Sequence, residues 1–162
     1  MSLRIIATGG TFDKHYDPIT GQLVFVDSVL PEALARARIT DPTTVEPLMA
    51  IDSLDMDDTH RAQILSACER SAEKKIVIIH GTDTMRETAQ VLGQAGLQKT
   101  IVLTGAMVPF RVASSDALFN LGFAVAVAQL NAPGVFLAMN GRVFSWDRVR
   151  KNKTDGIFEN AD

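Results

Sequence analysis

Short, mostly apolar runs at residues 3–7, 76–79, 100–103 and 135–139, the second and fourth continuous, alternate with longer segments whose apolar positions recur at helical spacing. A short continuous run rich in Ile and Val predicts a strand covered on both faces, because a strand with one wet face alternates instead. Residues 45–51 predict a further core strand that Pro47 weakens, and residues 23–26 a short one. Helices are expected at 30–37, where Pro31 stands near the start, and at 58–72, where Ile64, Leu65 and Cys68 share one face. Two more are expected at 83–92, with an acidic start, and at 116–130, which is mostly apolar. Residues 12–22 are polar, with Pro18 and Gly21, and read as a mobile loop, while 142–144 fit a returning hairpin arm. The order β, α, β, α, β, α, β predicts an α/β fold in three layers, α/β/α, around a mostly parallel sheet. No repeat or linker interrupts it, so residues 1–162 are expected to form one domain.

Composition narrows the function classes. With 16 Lys plus Arg against 19 Asp plus Glu, the net charge of -3 gives no electrostatic reason to expect nucleic acid. Cys68 is the single cysteine, so no internal disulfide forms and nothing argues for an oxidising compartment. The start MSLRIIATGG breaks off before a signal-peptide core develops, and the run at 123–128 is far too short to cross a bilayer. The expectation is a cytoplasmic protein without a membrane partner.

Ligands of open parallel sheets bind beyond the carboxyl ends of the strands. Four loops occupy that position: Thr8-Gly9-Gly10-Thr11, Ser53-Leu54-Asp55, His80-Gly81-Thr82-Asp83-Thr84 and Thr104-Gly105-Ala106-Met107. Three are rich in glycine, which lets a backbone approach a ligand, and in threonine, whose hydroxyl bonds or attacks. A Gly-Gly after a first strand is by itself only a tight turn. The sequence has neither phosphate-loop nor dinucleotide fingerprint and no G-x-S-x-G elbow, so no nucleotide cofactor or serine elbow is expected. His15, His60 and His80 lack metal-ligand spacing, and the acidic stretch Asp52, Asp55, Asp57, Asp58 lacks a calcium loop. Asp57 and Asp58 read as a capped helix start, His80 as a hydrogen-bonded structural residue, and Cys68 as a buried inert thiol. No metal or other cofactor is expected.

Taken in order, these loops resemble the bacterial-type L-asparaginase family. The similarity runs through Ile6-Ala7-Thr8-Gly9-Gly10-Thr11, Asp52-Ser53-Leu54-Asp55-Met56 and His80-Gly81-Thr82-Asp83-Thr84-Met85. It continues at Thr104-Gly105-Ala106-Met107, Met139-Asn140 and Val149-Arg150-Lys151. The resemblance implies hydrolysis of L-asparagine to aspartate and ammonia, with Thr11 as nucleophile and Thr82, Asp83 and Lys151 as a second catalytic cluster. It implies that Tyr16, the one tyrosine, stands on a lid. It further implies that Gly10, Ser53, Gly81, Thr82, Asp83 and the backbone at Ala106 meet the substrate, Ser53 and Asp83 at its α-carboxylate and α-ammonium. The chemistry fits. A threonine hydroxyl is a poor nucleophile unless a base or cation assists it, and a lysine held by an acid and a hydroxyl is such an aid. Backbone N–H groups in the glycine-rich loops suit an oxyanion, each worth about 3–4 kcal/mol.

Bland alternatives stand beside each assignment. Thr82 and Asp83 also fit a helix cap, and Lys151 lies in a basic run with Arg148, Arg150 and Lys153. Family members are about twice as long, so the sequence reads as a short form without their second domain, and Leu54 stands where many carry Gln. Weaker substrate affinity follows from both, and a symmetric homo-oligomer, dimer or tetramer, is expected to complete the pocket. The resemblance also implies one left-handed crossover in the sheet. Glutamine is a second, weaker substrate under this reading, since one methylene discriminates by only about 1–3 kcal/mol. Two other functions fit the same loops: an ammonia-releasing amidotransferase subunit, and an amino-acid-binding module without turnover.

Overall fold

A computed structural model describes residues 2–161; Met1 and Asp162, the ends of the expected 1–162 domain, lie outside the described residues. Along the chain run β1 (Leu3–Gly9), β2 (Lys14–Asp17), β3 (Gln22–Phe25), α1 (Leu30–Ala37), β4 (Thr43–Ile51), α2 (Asp58–Arg70) and β5 (Lys75–Ile79). There follow α3 (Met85–Gln94), β6 (Thr100–Thr104), α4 (Ala117–Leu130), β7 (Gly134–Met139), β8 (Arg142–Ser145), β9 (Val149–Asn152) and β10 (Ile157–Asn160). The main sheet has the order β4-β1-β5-β6-β7-β8, parallel except for β8.

The apolar runs alternate between two cores. Ile5, Val77 and Val102 face α1 and α4, against Leu30, Ala33, Leu121 and Ala124. Ile6, Ile76, Ile78 and Leu103 face α2 and α3, against Ile64, Cys68, Met85 and Leu92. Pro47 is tolerated because β4 is an edge strand, bonded to β1 alone and needing no N–H on its outer side.

The helix faces fix the handedness of the connections. The step from β1 to β4 runs one way along the sheet, with α1 on one face. The steps through α2 and α3 run the other way with their helices on the opposite face, so all three share one hand. The step from β6 to β7 keeps the direction of α3, yet α4 lies on the face of α1. Its hand is therefore reversed. Since about 98% of such crossovers are right-handed, β6–α4–β7 is the left-handed exception that the resemblance implied.

Two expectations are corrected, and one element is added. Residues 12–22 are not a loop throughout: β2 and β3 form an antiparallel hairpin, Lys14 facing Phe25 and Tyr16 facing Leu23. Its turn is closed by the Asp17 carboxylate, which accepts from the Ile19 N–H at 2.9 Å and the Thr20 hydroxyl at 2.8 Å. Helix α3 begins at Met85, two residues later than expected, so Asp83 lies in the preceding loop. The segment after β8, for which no element was expected, forms a second hairpin of β9 and β10. Val149 and Phe158, both buried, hold it in the core shared with α3, where Phe158 packs on Phe144 with ring centroids 6.5 Å apart.

Candidate active site

The four loops meet at the carboxyl edge of β1, β4, β5 and β6. Gly10 makes the first contact. Its φ of 72° is a left-handed conformation, and a Cβ there would lie 2.4 Å from the Gly81 nitrogen, so the first and third loops touch backbone to backbone. Gly81 in turn lies against Ser53, where a Cβ would meet the Ser53 Oγ at 2.6 Å. Thr11 follows Gly10 into a single 3-10 turn; it is half-buried, and its hydroxyl is engaged by no described residue.

Lys151 reaches this edge from the β9–β10 hairpin. Its Nζ donates to Thr82 Oγ1 at 2.8 Å and to Asp83 Oδ1 at 2.7 Å, and its side chain is only 11% exposed. The helix-cap alternative for Thr82 and Asp83 fails on this geometry. Thr84 is the N-cap of α3, and the Asp83 carboxylate goes to Lys151 instead. Thr84 also ties the second loop to the third: its N–H donates to Ser53 Oγ at 3.3 Å and its hydroxyl to the Ser53 carbonyl at 2.7 Å. Ser53 and Ala106 are both 1% exposed.

A pocket of about 170 Å³ opens beside Thr82, Asp83 and Lys151, with Arg86, Glu87, Arg150 and Lys153 on its walls. Its four cations outnumber the carboxylates of Asp83 and Glu87, a balance that suits an anionic group. Two larger clefts, of about 300 Å³ by the base of the first hairpin and about 620 Å³ at residues 110–115, include none of these three side chains. Size does not mark the chemistry here; the convergence of loops does.

Tyr16 is not brought to the cluster. It stands on β2, 61% exposed, and its hydroxyl bonds to no described residue. The hairpin that carries it is fastened at its base. Lys14 pairs with Asp52 at 2.5 Å, and with the Leu54 N–H it holds the Asp52 carboxyl below the usual carboxylate range. His15 bonds the Asp27 carbonyl at 2.8 Å and faces Arg111 at 3.3 Å.

His80 has the structural role expected of it. It is fully buried, its Nδ1 donates to the Gly81 carbonyl at 2.7 Å, and its Nε2 accepts from Thr88 Oγ1 at 2.7 Å. Burial pushes its pKa down to about 4, against the hydrogen bond it donates to the Gly81 carbonyl, so the ring is neutral at pH 7. Cys68 is likewise buried, its thiol pushed up to about 12 by desolvation. Asp57 caps α2, accepting from the His60 N–H at 3.0 Å. Among the described residues no group of three or more His, Cys, Asp or Glu is placed to hold a metal ion, and no helix is long and apolar enough to cross a membrane.

A three-layer α/β domain with one reversed crossover and a Lys–Thr–Asp cluster at the carboxyl edge of its sheet matches a known class of enzyme domain. Residues 2–159 match the family model "Asparaginase, N-terminal", and the chain belongs to that family. It is 35% identical to L-asparaginase 2 of Escherichia coli over 168 residues, covering 96% of this chain and 48% of that protein. The solved L-asparaginase of Thermococcus kodakarensis superimposes with a TM-score of 0.88 at 26% identity, over 99% of this chain and 51% of that one. The probable cytoplasmic L-asparaginase of Campylobacter jejuni gives 0.82 at 33% identity, over 99% and 53%. The chain thus spans about half the length of the relatives it matches.

Three polar residues at this edge were given no role in the sequence reading. Asp116, Asn120 and Asn140 bond to one another around the fourth loop. Burial works against the Asp116 carboxylate, but hydrogen bonds from Asn140 and the backbone of Val108 and Met107 outweigh it and hold its pKa low. A signal existed in Asn120, a polar residue near the start of a mostly apolar helix.

Proposed function

We propose that residues 1–162 form one cofactor-free catalytic domain that hydrolyses L-asparagine to L-aspartate and ammonia, with L-glutamine a weaker substrate. The observation that carries this reading is Lys151 held at once by Thr82 and Asp83, one loop away from an unengaged Thr11 hydroxyl. The Thr11 Oγ attacks the side-chain amide carbon, and its proton passes through Thr82 towards Lys151, which Asp83 orients. The C–O bond forms, the C–N bond breaks, and the proton leaves with ammonia. Water then attacks the resulting ester, restoring Thr11 and releasing aspartate. Backbone N–H groups of the glycine-rich loops take up the charge on the tetrahedral oxygen.

Gly10, Ser53, Gly81, Thr82 and Asp83 meet the substrate in this reading, Ser53 and Asp83 at its α-carboxylate and α-ammonium, and the backbone at Ala106 meets its amide. Tyr16 acts only if its hairpin closes over the pocket, a movement that would also exclude water. A cytoplasmic homo-oligomer, dimer or tetramer, is the setting proposed for it. The test is ammonia release from L-asparagine and L-glutamine by the purified chain beside Thr11→Ala. Turnover that falls at least about a thousandfold in the variant supports the reading. No turnover, with asparagine still raising the melting temperature, replaces it with an amino-acid-binding module.

A further inference from the structure

The loop at Ala106 is gripped from one side by three side chains that no part of the catalytic reading uses. Asp116, just ahead of α4, receives the Met107 N–H at 3.0 and 3.1 Å and the Val108 N–H at 3.0 Å. Asn120, one turn further and fully buried, donates from Nδ2 to the Gly105 carbonyl at 2.9 Å and to Asp116 Oδ2 at 3.0 Å. Its Oδ1 accepts the Asn140 N–H at 2.9 Å, and Asn140 donates from its own Nδ2 to Asp116 Oδ2 at 3.0 Å. Ala106 is therefore fixed between a held carbonyl on one side and two held N–H groups on the other. The Asp116 carboxylate does not cap α4, so its bonds serve the loop rather than the helix. Asn is likewise a poor helix former at position 120, and Asn140 keeps a left-handed φ of 49° just beyond β7.

We propose that Asp116, Asn120 and Asn140 are positioning residues, a clasp that sets the backbone of residues 105–108 for the side-chain amide of the substrate. The inference rests on the function proposed above and adds which end of the substrate the clasp governs. It acts on the amide and leaves the α-carboxylate and α-ammonium alone. Asp116→Asn is the sharpest probe. Its retained oxygen still serves Met107 and Val108, but its new NH2 faces the amide donors of Asn120 and Asn140. Asn120 cannot turn over in response, because its Oδ1 is taken by the Asn140 N–H. Asn140→Gly is the second probe: it keeps the left-handed backbone and the N–H bond and deletes only the side-chain donor.

Three quantities are measured for each variant: kcat and KM for L-asparagine, melting temperature, and, in a Thr11→Ala background, affinity for L-asparagine and L-alanine. Alanine shares the α-groups and lacks the amide. The clasp predicts a kcat lowered about tenfold to a hundredfold in Asp116→Asn and less in Asn140→Gly, with KM rising no further than the loss of asparagine's binding advantage over alanine. It also predicts that asparagine loses its binding advantage while alanine affinity is kept. Unchanged kcat per folded molecule, or asparagine and alanine weakening together, overturns it. If Asp116→Asn does not fold, Asn140→Gly decides by the same criteria. A parent chain that neither binds nor hydrolyses asparagine would fail before any variant is made, and would remove the functional reading together with the clasp.

Discussion

At the amino edge of the sheet Arg4 of β1 bridges Glu46 of β4 at 2.8 Å and Glu73 ahead of β5 at 2.9 Å, while at the carboxyl edge the Thr11 hydroxyl bonds to no described residue. The amino edge pairs its charges with one another. Arg70 joins Glu46, Ser71 donates to Glu73 at 2.8 Å, and the buried Lys99 ammonium rests on the carbonyls of Cys68 and Ser71 at 2.5 Å each. Burial works against the Glu73 carboxylate, but bonds from Arg4 and Ser71 overcome it and bring its pKa to about 2. At the carboxyl edge Lys151 is held but Asp83 remains 35% exposed, and cationic side chains line the adjoining pocket. Groups already satisfied by the protein stabilise it; groups left facing a pocket are available to a ligand. The same sheet does both jobs at opposite ends.

That contrast can be broken most visibly at Lys151. Lys151→Met is expected to lower turnover of asparagine by at least about a thousandfold. Its melting temperature should stay near the parent's, because Val149 and Phe158 anchor the hairpin rather than the lysine. A variant that unfolds instead would make Lys151 part of the scaffold. The pH dependence of stability separates the two edges next. His80, neutral in the fold with a pKa near 4, contributes stability that is complete above the ordinary histidine value of 6.5. As pH falls from 6.5 towards 4 the unfolded chain takes up a proton that the fold refuses, and about 3 kcal/mol is lost. Glu73 acts in a lower window: its share is complete above 4.5 and disappears as pH falls towards 2. Urea midpoints between pH 7 and pH 3 should therefore decline in two stages, and a flat midpoint from pH 6.5 to pH 5 contradicts the burial of a neutral His80. The smallest effect belongs to the amino edge. Arg4→Met should cost about 1–3 kcal/mol of stability with kcat unchanged. A fall in kcat per folded molecule would mean that the two edges are coupled.

Much of this arrangement was legible before any coordinates. The runs at 76–79 and 100–103 had to be buried strands, and their loops had to lie at one edge, because parallel strands all end on the same side. Thr82 and Asp83 were ambiguous between cap and cluster, and only the arrival of Lys151, 68 residues beyond Asp83, separates the two. Of the first hairpin only β3 was expected, from the apolar run at 23–26; β2 was missed because its residues are polar, Tyr16 is exposed, and turn formers follow it. The β9–β10 hairpin was missed because two residues, Val149 and Phe158, supply its buried anchors in an otherwise charged stretch. The Asp116–Asn120–Asn140 clasp joins positions up to 24 residues apart, and no local pattern announces a hydrogen bond across a crossover.

The central claim is that Thr11 becomes covalently linked to the substrate. The direct measurement mixes the purified chain with L-asparagine, quenches in acid during the first turnover, and maps the peptide masses. A mass gain of one aspartyl group on the peptide containing Thr11, absent from Thr11→Ala and slowed in Lys151→Met, is the predicted result. Turnover that proceeds with the aspartyl group on another residue, or that survives Thr11→Ala, would contradict it.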